Sequence, residues 1–264
     1  MTRSARQRVL TLSLYVLFLA VVATFVLLAD WEAISRNFFL TEGFTGNWQD
    51  MVFVGAKNTI LYTIVAFVGG FVLAVFLVLM KLAPIAPFRW LANGYIELFR
   101  GLPALVVILF MALGVPIAFG WRPPGGTVGA GLVALMMVAG AYMAETLRAG
   151  IEAVPKGQSE AARSLGMNGS WTMASIVMPQ ALRIVIPPLT NELVILLKDT
   201  SLLFVVGLAA NQKELTTMSR DFMSSGPSAG TATSLMFAAL LYLAITLPLT
   251  RLVAWMESKQ KRSR

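Results

Sequence analysis

Between two long apolar stretches the chain reads, from Ile151 to Pro179, IEAVPKGQSEAARSLGMNGSWTMASIVMP. This is a polar passage with the marks of a short, deliberately ended helix. Pro155 can open a helix at its first turn, where a missing N–H costs nothing. Ser159 to Leu165 is then rich in helix formers, and Gly166 stops the helix as a C-terminal cap. Ala161, Ala162 and Leu165 fall at i, i+1 and i+4, which gives a narrow apolar patch of mostly small residues. A helix under about 12 residues is not stable alone, so this one needs a groove to sit in. A helix lying on a membrane surface is the plain alternative, but such helices use a large Trp, Phe and Leu face that this one lacks.

Outward from this loop the sequence is dominated by six apolar stretches. Crossing about 30 Å of hydrocarbon takes roughly 20 helical residues. The candidates are Val9 to Ala29, about Met51 to Met80, about Leu102 to Phe119, about Val128 to Leu147, about Ile184 to Ala210, and about Ala232 to Trp255. The third is the shortest and is bounded by Pro103 and Pro116. The first follows three basic residues, as a secretory signal would. It lacks a small-residue cleavage site and ends in Asp30-Trp31-Glu32, so it is read as a span.

Composition agrees. The hydrophobic fraction is 57%, the charged fraction 13% and the mean hydropathy +0.75 over 264 residues. Soluble domains carry about 25% charge and about 45–50% apolar residues, and a water-facing globule this apolar would run out of core volume. A soluble enzyme is excluded on that ground. With no Cys and no His, the chain has no thiolate metal site, no Cys nucleophile and no imidazole acid/base, and no metal or cofactor is expected.

The net charge of +8 would point to nucleic acid only if it formed a basic face. Its distribution points to topology. With the N-terminus cytoplasmic, the inner segments hold Arg3, Arg6, Arg8, Lys81, Arg89, Arg100, Arg148, Lys156, Arg163, Arg183, Arg251, Lys259, Lys261, Arg262 and Arg264, which is 15 residues. The outer segments hold 5: Arg36, Lys57, Arg122, Lys213 and Arg220. Such a bias places both termini in the cytoplasm. The expected fold is all-α and integral to the membrane, with six transmembrane helices. Residues 1–48 form an N-terminal helix and outer loop, and residues 49–264 form the main transmembrane domain. Gly69-Gly70 inside the second span marks close helix packing.

Ionisable groups at membrane depth cost about 2.5–3.5 kcal/mol each at a helix centre, so those that occur there need a reason. The fifth span holds Asn191, Glu192, Lys198 and Asp199, followed by Ser201. On a continuous helix Asn191, Val194, Lys198 and Ser201 share one face. Glu192 and Asp199, seven apart, share a neighbouring stripe. A stripe of both signs belongs at a bundle interior or a water-filled path.

The loop also carries a family resemblance. Glu160-Ala161-Ala162, then Gly166, Ile176 and Met178-Pro179, resembles the EAA loop of ABC importer permeases, with Met178 where the usual pattern has Leu. Ala141-Tyr142-Met143-Ala144-Glu145, Arg148-Ala149-Gly150-Ile151, Pro187-Pro188 with Asn191, and Leu197-Lys198-Asp199-Thr200-Ser201-Leu202 resemble the subfamily serving polar amino acids. The similarity runs from about Asn47 to the C-terminus, leaving the first span as an extra helix before a five-helix core.

The resemblance implies a subunit of a binding-protein-dependent importer in the bacterial inner (plasma) membrane. The short helix would dock into a cleft on a separate ATPase, with Glu160, Ala161, Ala162, Leu165 and Gly166 as the coupling residues. It implies two ATPase subunits, a second permease chain of the same or similar sequence, and a periplasmic or lipid-anchored amino-acid-binding protein. This chain has no GxxxxGK[ST] phosphate loop and cannot itself supply the ATPase. An amino acid carries an ammonium and a carboxylate, which suits a mixed-sign lining of Asn191, Glu192, Lys198, Asp199 and Ser201. Equally, Glu192, Lys198 and Asp199 can pair with one another, or with Glu145 and Arg148, to fix packing or a gate. Glu145 and Arg148 are expected to anchor the start of the coupling loop. In the third span Leu102-Pro103 and Val107 stand where the subfamily has Thr-Pro and a Gln, so no polar contact is expected there.

Other classes leave the docking loop unexplained. A secondary transporter should show inverted repeats and paired broken helices, and no repeat is visible. An intramembrane hydrolase could use Lys198 and Ser201 at i and i+3, but nothing supplies an oxyanion hole. A related small polar solute, such as an opine or an amino-acid derivative, is the nearest alternative cargo.

Overall fold

Proline placement sets much of this architecture, seen here in a computed structural model that describes residues 3–121 and 123–262. Arg122 and Arg264, which entered the charge comparison, lie outside the described residues, as do the side chains of Arg3, Arg6, Lys261 and Arg262. Helices α1 (Arg3–Leu28), α2 (Trp31–Phe38) and α3 (Thr41–Asp50) lead through a wide π turn, Met51–Ala56, into α4 (Lys57–Leu82). Then come α5 (Ala86–Gly101), α6 (Ala104–Leu109), a π turn over Phe110–Gly114 and α7 (Val115–Phe119). Helix α8 (Gly126–Glu152) leads into the polar loop with α9 (Lys156–Ser164) and α10 (Gly169–Thr172), and a third π turn, Met173–Val177, opens α11 (Met178–Asp199). A 3₁₀ stretch, Thr200–Val206, a short 3₁₀ turn, Ala210–Gln212, α12 (Leu215–Ser224) and α13 (Thr233–Arg262) complete the chain. No strand occurs among the described residues.

Two of the π turns end two residues before a proline. Pro116 and Pro179 have no N–H for the carbonyl four residues back, and their rings crowd it. Widening the preceding turn relieves both problems, which is why Phe110–Gly114 and Met173–Val177 are π-helical rather than broken.

Among the described residues, four helical segments are long and apolar enough to cross a membrane: Leu10–Leu28, Trp31–Leu82, Gly126–Glu152 and Thr233–Lys259. The third expected span differs from the sequence reading. Leu102 is held extended by Pro103, and Ala86–Gly101 meets Ala104–Phe119 at a bend of 107°. Counted together as one span, this bent pair would raise the number of segments long and apolar enough to cross to five among the described residues. The fifth expected span also differs. It starts earlier and its α-helix stops at Asp199, eleven residues before Ala210. At 22 residues α11 is long enough, about 33 Å, but Arg183, Glu192, Lys198 and Asp199 leave it too polar to qualify on apolarity.

The core is built where α4 crosses α8. A Cβ on Gly70 would lie 3.1 Å from the Ala139 Cβ and 3.3 Å from the Gly140 nitrogen, so the Gly69-Gly70 pair is a site of close backbone approach. Tyr95 on α5 donates its hydroxyl to the Met137 carbonyl of α8 at 3.0 Å. Helix α11 packs on α8 and α13, and α12 packs on α13. Helix α1 stands apart in character: its apolar segment has no buried residue, as suits a helix surrounded by lipid.

Candidate functional site

Where the α5–α6 bend meets α8 and α11, the chain encloses a cavity of about 320 Å³. Glu192 and Asp199 line it from α11, and Tyr142 from α8. Seven residues apart on a helix, the two carboxylates are only about 20° apart around the axis, which is why one wall holds both. Tyr142 is anchored by donating its hydroxyl to the Arg100 carbonyl at 3.3 Å, while the Arg100 guanidinium lies 5.6 Å from its ring. Leu102, Pro103 and Ala104 form the wall on the bend, and none of the lining residues is basic. Leu102 and Pro103 thus present apolar side chains to the cavity, and Val107 is buried.

The remaining polar residues of the stripe lie elsewhere. Asn191 and Lys198 are exposed, and Val194, expected on their face, is buried at 3%. Val194 sits about 60° round from Asn191, enough to turn it into the core. Ser201 lies beyond the end of α11 in the 3₁₀ stretch, so it no longer shares the helical face with Lys198. The continuous helix assumed for that face is the step that fails. No ion pair among the described residues includes Glu192, Lys198 or Asp199.

Glu145 and Arg148 do not pair with α11. Arg148 donates Nε to Glu145 Oε1 at 3.0 Å, contacts the same carboxylate through Nη2, and reaches Glu152 Oε1 through Nη1 at 2.5 Å. Lys81 Nζ of α4 lies 3.5 Å from Glu145 Oε2. The cluster ties the end of α4 to the last turns of α8, immediately before the polar loop.

The loop has the local structure its sequence dictates. Pro155 is the residue just before α9 rather than its first helical position. At the other end Gly166 takes φ +86°, a left-handed conformation that glycine adopts without penalty. Gly166 N–H donates to the Arg163 carbonyl at 3.0 Å and Met167 N–H to the Ala162 carbonyl at 3.2 Å, the paired bonds of a Schellman cap. The three apolar residues do not form one patch. Ala162 is buried at 6%, toward the Met173–Val177 turn on which α9 packs, whereas Glu160 and Ala161 are exposed and Leu165 is 85% exposed. At i and i+4, Ala161 and Leu165 share the outward side. Nearby, Trp171 is also exposed, in a helix capped by the Asn168 side chain, which accepts from the Trp171 N–H at 2.8 Å.

A buried acid escaped the sequence reading. Glu214 is fully buried and caps α12, accepting from the backbone N–H groups of Thr216 and Thr217 at 2.7 and 2.6 Å. An acidic residue directly before Leu-Thr-Thr is an N-cap signal. Its burial comes from α4 and α13, which no local pattern shows.

Apolar helices of spanning length around a carboxylate-lined cavity define a multi-pass helical membrane protein. Residues 70–262 match the family model described as binding-protein-dependent transport system inner membrane component. The probable glutamine ABC transporter permease protein GlnM of Bacillus subtilis is 38% identical over 209 residues, covering 79% of this chain and 93% of that one. The glutamate/aspartate import permease protein GltK of Escherichia coli is 33% identical over 211 residues, 78% of this chain and 91% of that one. Among solved structures, an amino acid ABC transporter with histidines superposes with a TM-score of 0.73 at 33% identity, covering 81% of this chain and 96% of that chain. The MetNI methionine ABC transporter, in inward-facing conformations, shares the fold with a TM-score of 0.59 at 20% identity, covering 78% of this chain and 96% of that chain. The chain thus belongs to the inner membrane component family of binding-protein-dependent transport systems, the permease subunits of ABC importers.

Proposed function

We propose that this chain is the permease subunit of an ATP-driven importer for amino acids, with the Glu192–Asp199 cavity on the solute path. It works in the bacterial inner membrane with six crossings and both termini inside; α11 is one of the six despite its charges. Two carboxylates and no basic group in the wall suit a cargo that presents an ammonium or guanidinium. An opine or amino-acid derivative bearing the same cationic group is the second reading, favoured by the same wall. Asn191, Lys198 and Ser201 act at the edge of this path or in its gate, and Glu145 with Arg148 anchors the coupling loop. The names of GlnM and GltK support amino acids as the cargo class.

Coupling runs through α9. Glu160, Ala161, Ala162, Leu165 and Gly166 form a rigid, capped unit that docks on a separate ATPase. Two ATPase subunits serve a pair of permease chains, and an outer binding protein delivers the solute. Nucleotide closure of the ATPase pair then favours one permease conformation through differential contacts with α9. The observation that carries this reading is the exposure of Ala161 and Leu165 on a helix too short to stand alone and firmly stopped at Gly166. Deleting Glu160–Gly166 should abolish co-purification with the ATPase while membrane insertion persists. A complex that survives the deletion removes the docking role.

A further inference from the structure

The outer segment that follows Asp199 contains a buried acid with no part in the path or the coupling loop. Glu214 accepts the Thr217 hydroxyl at 2.6 Å and the Tyr242 hydroxyl at 3.1 Å, besides the two backbone N–H groups of α12. Three of the four donors belong to α12 and the fourth to α13, so one carboxylate joins the two helices. Its position at the α12 N-terminus also suits negative charge. Helix α4 grips the same segment by its backbone. Asn58 donates to the carbonyls of Asn211 and Lys213 at 3.0 and 2.9 Å, Tyr62 donates to that of Gln212 at 2.9 Å, and Thr59 Oγ1 accepts from Leu215 N–H at 3.2 Å.

The segment this knot holds down packs against the first turns of α8. At the start of α8, Thr127 donates its hydroxyl to the Gly207 carbonyl at 3.1 Å. One turn on, the fully buried Leu203 presses on Gly131, where an added Cβ would lie 2.3 Å from its side chain. A further turn on, Leu135 is already cavity wall. The 3₁₀ stretch bearing Leu203 therefore packs on α8 between Thr127 at its start and the cavity-wall residue Leu135. Helix α12 packs on that stretch, and the Arg220 guanidinium lies 5.5 Å from the Phe204 ring.

We infer that Glu214 is a positioning residue for transport: by pinning α12 to α13 through Tyr242, it keeps the Leu203 stretch closed over the outer end of the cavity. Opening outward then requires α12 to part from Tyr242, a two-state step in which a buried hydrogen bond exists in one state only. The inference rests on the proposed solute path and topology.

The chain has no cysteine, so a single Val138→Cys in the cavity wall is a clean reporter. It is placed in the assembled transporter in right-side-out vesicles, without binding protein or nucleotide, and labelled from outside with a membrane-impermeant thiol reagent. Adding Glu214→Gln or Tyr242→Phe should speed labelling about tenfold, the factor for losing one charge-assisted hydrogen bond from the closed state alone. The ATPase subunit should co-purify in unchanged amount. If Glu214→Gln fails to assemble, Tyr242→Phe, which leaves the α12 cap intact, decides the matter. Assembled variants that label within about twofold of the parent overturn the role of Glu214 and leave the path standing. A reporter that even a permeant reagent cannot reach removes the path itself, and the latch with it.

Discussion

The carbonyl oxygen of Gly70 on α4 lies 3.2 Å from the point where a Cβ on Gly140 of α8 would stand, and that same Cβ would meet Leu73 Cδ2 at 2.8 Å. The two helices that build the core cross so closely that even a Cβ at either residue would push on its neighbours. Backbone contact of this kind is how helices associate where lipid is as apolar as leucine.

Gly140→Leu should therefore separate α4 from α8, at a cost of about 1–3 kcal/mol or more for overpacking. Gly94→Ala on α5, where nothing lies within 4 Å, should be neutral or slightly stabilising. Thermal unfolding of the detergent-solubilised protein separates the two. Equal losses in both would remove the special status of the α4–α8 crossing.

At Gly166 the prediction concerns conformation rather than space. Beyond its chain neighbours, no atom lies within 4 Å of the point where a Cβ on Gly166 would stand, yet φ is +86°. Gly166→Ala should cost about 1–2 kcal/mol of local order, and Gly166→Asn clearly less. The affinity of the permease for its ATPase, measured by titration in detergent, should fall in that same order. An Ala variant that binds as tightly as the parent contradicts the role of the cap.

The Lys81–Glu145 contact joins α4 to α8, but both side chains are partly solvated, at 19% and 25% exposure. A double-mutant cycle of Lys81→Met and Glu145→Gln should return a coupling of about 1 kcal/mol or less. Arg148→Met should cost more than Lys81→Met, since it leaves two carboxylates, Glu145 and Glu152, without their shared partner. Unfolding midpoints of the four variants test the order.

How far these features could be read in the sequence follows from the distance over which each is determined. The α9 stop was legible because capping is settled within six residues, from Ala162 to Met167. The carboxylate pair was legible because Glu192 and Asp199 are two helical turns apart on one helix. Pro103 announced a break before α6, but no local pattern gives the 107° angle, beside which Tyr95 and Tyr142 also bond α5 to α8. The end of α11 at Asp199 was missed because Thr200–Val206 is apolar enough to pass for more helix. Glu214 could not be placed, since its neighbours on α4 and α13 lie far along the chain.

Solute is proposed to pass the Glu192–Asp199 wall. The most direct test is uptake of radiolabelled amino acid by the complete transporter in proteoliposomes, with the solute chosen as the one its binding protein retains. Glu192→Gln combined with Asp199→Asn should lower uptake at least about tenfold with ATPase subunits still bound, while exposed Lys198→Met should have a smaller effect. Uptake equal to the parent in the double variant would contradict this path.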